Sequence, residues 1–559
     1  MSLYQYQALE HWDSFRLVIL HPASRSTAPI RCSLQHVRST ELPKYEAISY
    51  TWGNTNLLHS LHMGGNGNFL KVTTNCFHAL RHLRRADSDR ALWIDAICIN
   101  QMDLNERGHQ LKTMNMIYEM ASTVVIHLGE ETRGSRILFK ELAKAEAEFS
   151  ETGQCNRKPP SNTIIGELEA LIQRPWFRRI WVLQEVSGNP SLAVMCGSAR
   201  ISMGALEACL YGYRNFRVIE DVVPLPIRLW SRQRLEVEGS IATIHLWHQL
   251  VLSRTYLATD PRDKVFALRS LLPKELRSSM DYLIDYTAST EQIFIKTAMC
   301  LLPRIGLHLL IAGRHPHSLS MPSWIPDFSQ TSPLDSWTPY KSIGEVPSSF
   351  TVSDEVCVSG TGLALHVDGV RYATIRKTSR VWSFRDMQDV EDQMHAFYNS
   401  LPVLSQLIYG TWDEQTEYGS YQCDTEILQM LILQARYDVR ALGFDLQRGY
   451  GGGDYEHDTV SALIFPREFH EGLAESRIVL TDTFDLAIVP AAACIGDTIC
   501  MFQHGQSPSL LRQQDERRWK MISGDCYVFG RMGRERDAEF PYRRYCARGA
   551  ADMETFEIC

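Results

Sequence analysis

Four short apolar runs within the first two hundred residues constrain the fold of this chain more than any other feature. Each run has the pattern of a strand and ends in polar and aromatic residues, and helical spacing precedes the third and fourth runs. Strands that alternate with helices predict an α/β domain built on a mostly parallel sheet. The runs are Tyr45–Trp52, Leu92–Asn100, Ser122–Glu130 and Ser191–Ser198.

Polar side chains gather at or near the ends of these predicted strands. Parallel sheets of this kind bind their ligands in the crevice outside the carboxyl ends of the strands. The sequence therefore predicts a functional site at this edge of the sheet. The residues that it places there are Ser49, Trp52, Asp95, Asn100, Gln101 and Glu130.

The composition limits the class of protein. A chain of 559 residues is too long for one hydrophobic core, so we expect several domains. The formal net charge of −8 provides no basic surface of the kind that attracts nucleic acid. The 14 cysteines are scattered without CxxC pairs or zinc-ligand spacing, which favours free thiols and no metal site. With neither a signal-peptide pattern nor an apolar stretch long enough for a bilayer, we expect a cytoplasmic protein without a membrane span.

Changes of pattern along the chain predict three domains. Residues 1–203 form the α/β domain, with an N-terminal strand and a charged, partly helical insertion at 133–173. Residues 204–320 have mainly helical spacing, and residues 321–559 form a mixed, β-rich part.

Smaller patterns refine this division. The run Gly64–Asn68 lies between two short strands, which predicts a hairpin turn rather than a phosphate loop. Within the β-rich part, Arg385–Met430 has helical patterning and Gly451–Gly453 marks a flexible loop, whereas Ile478–Met532 predicts several antiparallel strands.

Two predicted helices carry candidate carboxylates. In the helix over Gln101–Ala121, Asp103 and Glu106 have the spacing of a capping box, so Glu106 either caps the helix or faces a ligand at its positive end. In a helix over Arg174–Val186, the side chains of Arg178, Trp181 and Glu185 share one face. That face is either a catalytic surface or an Arg–Glu pair beside a core tryptophan.

Asp95 is harder to explain as ordinary core. A carboxylate inside an apolar strand is costly unless it is paired or hydrogen-bonded, so either a neighbouring helix terminus or a functional site must satisfy it. His127 lies near the end of its predicted strand. A histidine in such a position is more often a buried side chain with its hydrogen bonds satisfied than a site residue.

Three blocks of residues together resemble the fungal heterokaryon-incompatibility (HET) domain family. The first block is Tyr45–Gly53, the second is Leu92–Gln101 followed by Asp103, Glu106 and Gln110, and the third is Arg174–Glu185. The resemblance implies a fungal protein of the self/non-self recognition and programmed-cell-death class. It also implies a fold distantly similar to the TIR domain, with a flavodoxin-like sheet.

The resemblance further implies NAD as a substrate, cleaved at the nicotinamide–ribose bond. In TIR domains a tryptophan is followed four positions later by the catalytic glutamate, a spacing that Trp181 and Glu185 share. Glu185 is then the catalytic carboxylate and Glu106 the second candidate, with no cofactor or metal required. The remaining predicted NAD-binding residues are Ser49, Trp52, Gly53, Asp95, Asn100, Gln101, Arg178 and Trp181.

Two other interpretations stay open at this point. The first domain is alternatively a non-enzymatic signalling module that forms homo-oligomers or docks a protein partner, controlled by the remaining domains. A weaker alternative is a regulator that has lost its activity. The sequence identifies neither the trigger nor the partner.

Overall fold

The computed structural model shows a chain that divides into two compact units. The first comprises Met1–Ala242 and Thr255–Thr287, and the second comprises Thr243–Arg254 and Ala288–Cys559. The predicted middle segment 204–320 contributes to both units, and the three-domain division stays a prediction.

The structure describes most of the first unit and selected parts of the second. The helical pattern over Arg385–Met430 and the loop at Gly451–Gly453 lie outside the described residues. These are 2–54, 56–65, 67–152, 162–212, 226–227, 247, 249–250, 253–271, 277, 282–313, 319–330, 357–359, 363–378, 476–483, 486–503, 505, 507–524, 526–528 and 553–559.

Nine described strands of the first unit form one mixed sheet with the order β5-β4-β2-β1-β6-β3-β7-β8-β9. The four strands β6, β3, β7 and β8 are parallel and lie next to one another, and each overlaps one of the four predicted runs. The strand bounds are β1 Ser14–Leu20, β2 Arg31–Arg38, β3 Glu46–Tyr50, β4 Leu58–Met63, β5 Asn68–Thr73, β6 Arg90–Trp93, β7 Thr123–His127, β8 Leu192–Cys196 and β9 Ala199–Ser202.

The expectation of a mostly parallel sheet holds for those four central strands and for the pair β2–β4, whereas the other strand pairs of this sheet, including β1–β6, are antiparallel. The pairs β1–β2, β4–β5 and β8–β9 are antiparallel. Each of these pairs is joined by a connection too short for the crossover that a parallel pair needs, so the chain turns back on itself. The pairing of β4 with β5 confirms the predicted hairpin at the glycine-rich run.

Helices surround this sheet. Helix α1 is fastened at its start by the hydroxyl of Thr73, which accepts from the backbone N–H of Cys76, and it buries Cys76, Ala79, Leu80 and Leu83. The helix bounds in the first unit are α1 Thr74–Leu83, α2 Asp95–Cys98, α3 Leu104–Met120, α4 Arg133–Thr152, α5 Asn162–Ile172, α6 Val182–Val186, α7 Met203–Gly212 and a short helix Asp263–Phe266, with 3-10 turns at Pro175–Arg178 and Arg269–Leu271.

Of the predicted strand over Leu92–Asn100, only Leu92 and Trp93 belong to a strand. Strand β6 ends at Trp93, and Asp95 begins the one-turn helix α2. Its carboxylate accepts a hydrogen bond from the backbone N–H of Ala96 at 2.7 Å. Short polar side chains that bond nearby backbone groups favour turns over strands, which explains the early end of β6.

The predicted continuous helix over Arg174–Val186 is broken in two. A 3-10 turn at Pro175–Arg178 and helix α6 are separated at Arg179, whose backbone is extended with φ −82° and ψ 134°. The extended residue pairs with Leu257 in a parallel bridge, a partner far along the chain. A tertiary contact therefore overrides the local helical pattern.

The second unit contains a helix and a second sheet. The side chain of Ser289 and that of Gln292 form a capping box at the start of the helix Thr290–Ile305, which the 3-10 helix Gly306–Ala312 follows. Another 3-10 turn, Ser253–Thr255, lies at the boundary of the units. The strands are β10 Cys357–Val358, β11 Leu365–Thr378, β12 Ser476–Thr481, β13 Leu486–Pro490, β14 Thr498–Phe502, β15 Ser509–Gln513, β16 Arg518–Ser523, β17 Tyr527–Val528 and β18 Glu554–Ile558.

Five strands of this sheet close into a ring. They follow the order β14-β15-β16-β18-β11, and β11 pairs again with β14. Val479, Ile499 and Leu510 belong to the apolar core inside the sheet. The predicted antiparallel strands of Ile478–Met532 are confirmed, since β12 to β17 pair antiparallel with their neighbours, and β16 pairs parallel only with the C-terminal strand β18.

Candidate functional site

A buried carboxylate lies against the carboxyl end of β3. Glu185, in α6, is 3% exposed, and its Oε2 accepts a hydrogen bond from the hydroxyl of Ser49, the last residue but one of β3. The same hydroxyl accepts from the indole Nε1 of Trp176 at 2.6 Å. Three residues from two distant segments thus form one chain of hydrogen bonds.

Arg179 brings a positive charge to this carboxylate. Its guanidinium donates to the backbone carbonyl of Tyr50, and its Nη1 lies 3.9 Å from Oε1 of Glu185. The extended backbone at Arg179 turns this side chain, rather than that of Arg178, toward the end of β3. A half-buried guanidinium in this position can neutralise either a carboxylate or a bound anion.

Asp95 is the second acidic group at this edge. Its Oδ2 accepts from the indole Nε1 of Trp52 at 2.8 Å. The side-chain amide of Gln101 donates to the backbone carbonyl of Asp95 at 2.9 Å. The bonds from Trp52 and from the backbone N–H of Ala96 satisfy the carboxylate, as its position inside an apolar run requires.

Burial dominates the protonation of both acids. It raises the pKa of Glu185 to about 7, against the opposing effects of Arg179 and of the Ser49 hydrogen bond, while the charge of Asp95 adds to the rise. Burial also raises the pKa of Asp95, and Arg179 and Trp52 oppose it. Arg179 thus stabilises the ionised forms of both acids.

Two further predicted residues lie in the backbone around this site. Gly53 follows Trp52 with φ +75°, a conformation that only glycine adopts readily, and the side chain of Asn75 packs against it. The side chain of Asn100 accepts from the backbone N–H of Met102 at 3.3 Å. Both residues therefore determine the conformation of loops beside Asp95 and Trp52, and neither brings a charged group to the site.

Three predicted site residues have other partners. Glu106 makes a bidentate pair with the buried Arg16 at 2.6 and 2.9 Å and accepts from the backbone N–H of Asn100 at 2.7 Å. Arg178 is exposed and donates to Gln173. Trp181 donates from its indole Nε1 to Asp263 at 3.0 Å. The structure does not bring these three side chains to Glu185.

The remaining sequence candidates form a separate histidine cluster. His127 is buried, and its Nε2 lies 3.0 Å from Nδ1 of His82 in α1. Burial lowers the pKa of His127 to about 3, so this ring is neutral at physiological pH. Glu130 lies 2.8 Å from His78 and 3.4 Å from Arg81. The hydrogen bond with His82 gives the buried His127 a partner, as expected for a structural histidine rather than a site residue.

Sequence patterns missed three residues that shape the site. Arg179 and Trp176 flank the predicted helical face, and only the break in the helix reveals that they reach Ser49 and Glu185. Asp263 lies 82 residues from Trp181, so no local spacing in the sequence links these two side chains.

Neither a metal centre nor a membrane helix is found in the described part of the chain. Within it, His, Cys, Asp and Glu side chains nowhere cluster in threes suited to a metal ion. None of its helices combines the length and apolar character needed to cross a bilayer.

Comparison with known proteins points to one family. Residues 45–185 match the family described as heterokaryon incompatibility protein (HET). The chain is 25% identical over 409 residues to heterokaryon incompatibility protein 6, OR allele, of Neurospora crassa, which covers 59% of this chain and 60% of that relative. The chain thus matches less than two thirds of that relative's length, and no solved structure is significantly similar to it. Residues 45–185 contain Ser49, Asp95, Arg179 and Glu185, so the candidate site lies within the region that matches the heterokaryon incompatibility (HET) family.

Proposed function

We propose that this chain is a cell-death effector of fungal self/non-self recognition that acts by cleaving NAD. The match of residues 45–185 to the heterokaryon incompatibility family and the similarity to a heterokaryon incompatibility protein of Neurospora crassa support the recognition role. The observation that carries the chemistry is the contact of Glu185 with Ser49 at the carboxyl end of a central parallel strand.

The order of the parallel strands supports a ligand site at this point. These four strands lie side by side as β6-β3-β7-β8. If they are numbered by their sequence order, the arrangement is 2-1-3-4, which is the order of flavodoxin-like sheets. The chain crosses to one side of β3 and then to the other, so a crevice is expected between the ends of β3 and β7. Ser49 and Tyr50 lie at that end of β3.

The chemistry requires a carboxylate and little else from the protein. Nicotinamide leaves NAD as a neutral molecule with the electrons of the broken bond, and an oxocarbenium-like ribosyl cation remains. Ionised Glu185 stabilises this cation, and water adds to it to give ADP-ribose and a proton. The Arg179 guanidinium offers a site for a phosphate, and the half-buried indole of Trp52 offers a face for a ring.

Nicotinamide release tests this proposal directly. The purified full chain, at high protein concentration, is incubated with NAD beside Glu185→Gln and Glu41→Gln, a change of an exposed glutamate outside the site. We expect release from the wild type and from Glu41→Gln, and none from Glu185→Gln. Equal rates for all three proteins would contradict the assignment of Glu185.

The burial of Glu185 favours a second candidate function. Its side chain is 4% exposed and already engaged by Ser49 and Arg179, as in a purely structural network. The first unit is then a non-enzymatic module that self-associates or docks a partner to trigger death. In that case death on overexpression in fungal cells should survive Glu185→Gln, provided that the variant folds. Loss of death in a folded Glu185→Gln protein would count against this second candidate.

A further inference from the structure

One segment outside the family match returns to the first unit. Thr255–Thr287 belongs to that unit, whereas Thr243–Arg254 before it and Ala288–Cys559 after it belong to the second. The family match ends at residue 185. This segment contacts the part of the chain that carries Arg179 and Glu185.

The backbone of Leu257 holds the extended residue Arg179 in place. Its N–H donates to the carbonyl of Arg178 at 2.5 Å, and its carbonyl accepts from the N–H of Ile180 at 3.1 Å. These are the bonds of a parallel bridge, and they keep Arg179 out of the helical conformation on either side. The guanidinium can therefore reach the carbonyl of Tyr50 and Glu185.

The side chain of Asp263 holds the neighbouring residue Trp181. This carboxylate is 8% exposed, and it accepts from the indole of Trp181 at 3.0 Å and from the hydroxyl of Tyr286 at 2.6 Å. The ring of Tyr286 is fixed in turn by the guanidinium groups of Arg262 and Arg107, which lie 5.1 and 5.5 Å from its centre.

Trp181 is joined directly to Glu185 through the backbone. It precedes the first residue of α6, and its carbonyl accepts from the N–H of Glu185 at 3.1 Å and from that of Gln184 at 3.0 Å. A helix of five residues has few bonds of its own to fix its direction. Its first acceptor therefore needs support from outside the helix.

We propose that Asp263 is a positioning residue for the candidate active site: through Trp181 it holds the start of α6 and hence the carboxylate of Glu185. This role rests on the proposed NAD cleavage. Asp263 itself touches neither Glu185 nor Ser49 among the hydrogen bonds of the described residues, so it acts through Trp181. Without its carboxylate, the Trp181 indole and the Tyr286 hydroxyl lose their shared acceptor.

The test compares four variants of the full chain. Asp263→Ala removes the acceptor, Trp181→Phe removes only the indole N–H, and Asp263→Asn keeps a carbonyl acceptor for the indole. Asp285→Asn is the matched control, because its carboxylate lies in the same segment and accepts from Thr287. Hydrogen exchange is measured for peptides covering residues 180–187, and kcat and KM for NAD are measured in parallel.

The expected pattern separates positioning from general destabilisation. In Asp263→Ala and in Trp181→Phe, the backbone amides of α6 should exchange about tenfold faster, which is the size expected for the loss of a hydrogen bond to a charged group. Both variants should also lower kcat by a larger factor than they change KM. Asp263→Asn and Asp285→Asn should stay near the wild type in both measurements. If Asp263→Ala fails to fold, Trp181→Phe decides the outcome alone.

Failure of the positioning role and failure of the proposed NAD cleavage give different results. If the wild type releases nicotinamide and Trp181→Phe matches it in exchange or in kcat, the positioning role is overturned and the proposed function stands. If the wild type itself releases no nicotinamide, the proposed function fails and the role of Asp263 in it fails with it.

Discussion

At the scale of single residues, Glu185 has opposite effects on stability and on the proposed activity. Burial raises its pKa to about 7 from an ordinary value of 4.5. The folded protein therefore holds a proton that the unfolded chain releases between these two values, so the stabilising contribution is complete below pH 4.5 and is lost as pH rises through 7. The ionised form, which the chemistry requires, becomes dominant above the same pH.

Denaturant unfolding over this pH range tests the state of Glu185. Between pH 4.5 and 7 the free energy of unfolding of the wild type should fall by about 3 kcal/mol relative to that of Glu185→Gln, because glutamine does not titrate. Nicotinamide release should rise over the upper part of the same range. Parallel stability curves for the two proteins would show that Glu185 titrates normally.

A substitution at Gly53 tests whether the backbone beside Trp52 requires a glycine. A Cβ at this position would lie 2.7 Å from Nδ2 of Asn75, and its φ of +75° disfavours any other residue. We expect Gly53→Ala to lower the free energy of unfolding by about 2 kcal/mol. Gly65→Ala is the matched control, because a Cβ there meets nothing within 4 Å. Urea unfolding measures both, and an equal effect of the two changes would contradict the strain at Gly53.

At the scale of elements, one buried ion pair fastens α3 to β1. Arg16 in β1 is 1% exposed and donates to both carboxylate oxygens of Glu106 in the first turn of α3. The same carboxylate accepts from the N–H of Asn100, so it also fixes the loop that leads from α2 to α3. Asp103 caps the helix by accepting from the N–H of Asn105 and of Glu106.

This arrangement predicts a structural role for Glu106. Glu106→Gln should lower the free energy of unfolding by about 3 kcal/mol, because it leaves the buried Arg16 without its counter-charge. Nicotinamide release per folded molecule should remain close to that of the wild type, as measured below the unfolding transition. If the Glu106→Gln variant folds but releases no nicotinamide, Glu106 is again a candidate for the catalytic carboxylate.

At the scale of the whole molecule, the first unit is discontinuous in sequence. It consists of Met1–Ala242 together with Thr255–Thr287, and the second of these pieces supplies Leu257, Asp263 and Arg277. Arg277 pairs with Glu119 of α3 at 3.0 Å, so this piece contacts two separate helices of the unit. The family match to residues 45–185 therefore covers less than the folding unit.

Two fragments test this division. A fragment of residues 1–287 contains every described partner of α6 in the unit, whereas a fragment of residues 1–242 lacks Leu257 and Asp263. Losing the charged hydrogen bond to Trp181 and the pair with Glu119 should make the shorter fragment less stable by at least about 3 kcal/mol. Thermal unfolding of both compares them, and equal stability would show that the returning segment is dispensable.

Local sequence patterns are enough to predict many of the elements and the resemblance to the HET family. The strands β3, β7 and β8, the hairpin of β4 and β5 and the antiparallel strands of Ile478–Met532 are predicted by short apolar segments bounded by polar or turn residues. The three blocks that resemble the HET family lie in the region that the family match covers. Such patterns are local, because each one records which face of a short segment is buried.

The contacts between the side chains of the site depend on tertiary packing. Ser49 and Glu185 are 136 residues apart, and their contact depends on how β3 and α6 pack rather than on any spacing. The helical face predicted for Arg178, Trp181 and Glu185 does not form, because Leu257 holds Arg179 extended and Asp263 draws Trp181 away from Glu185. The periodicity of a short segment cannot specify a contact with a distant segment. The sequence therefore identifies several residues of the site but not which of their side chains are in contact.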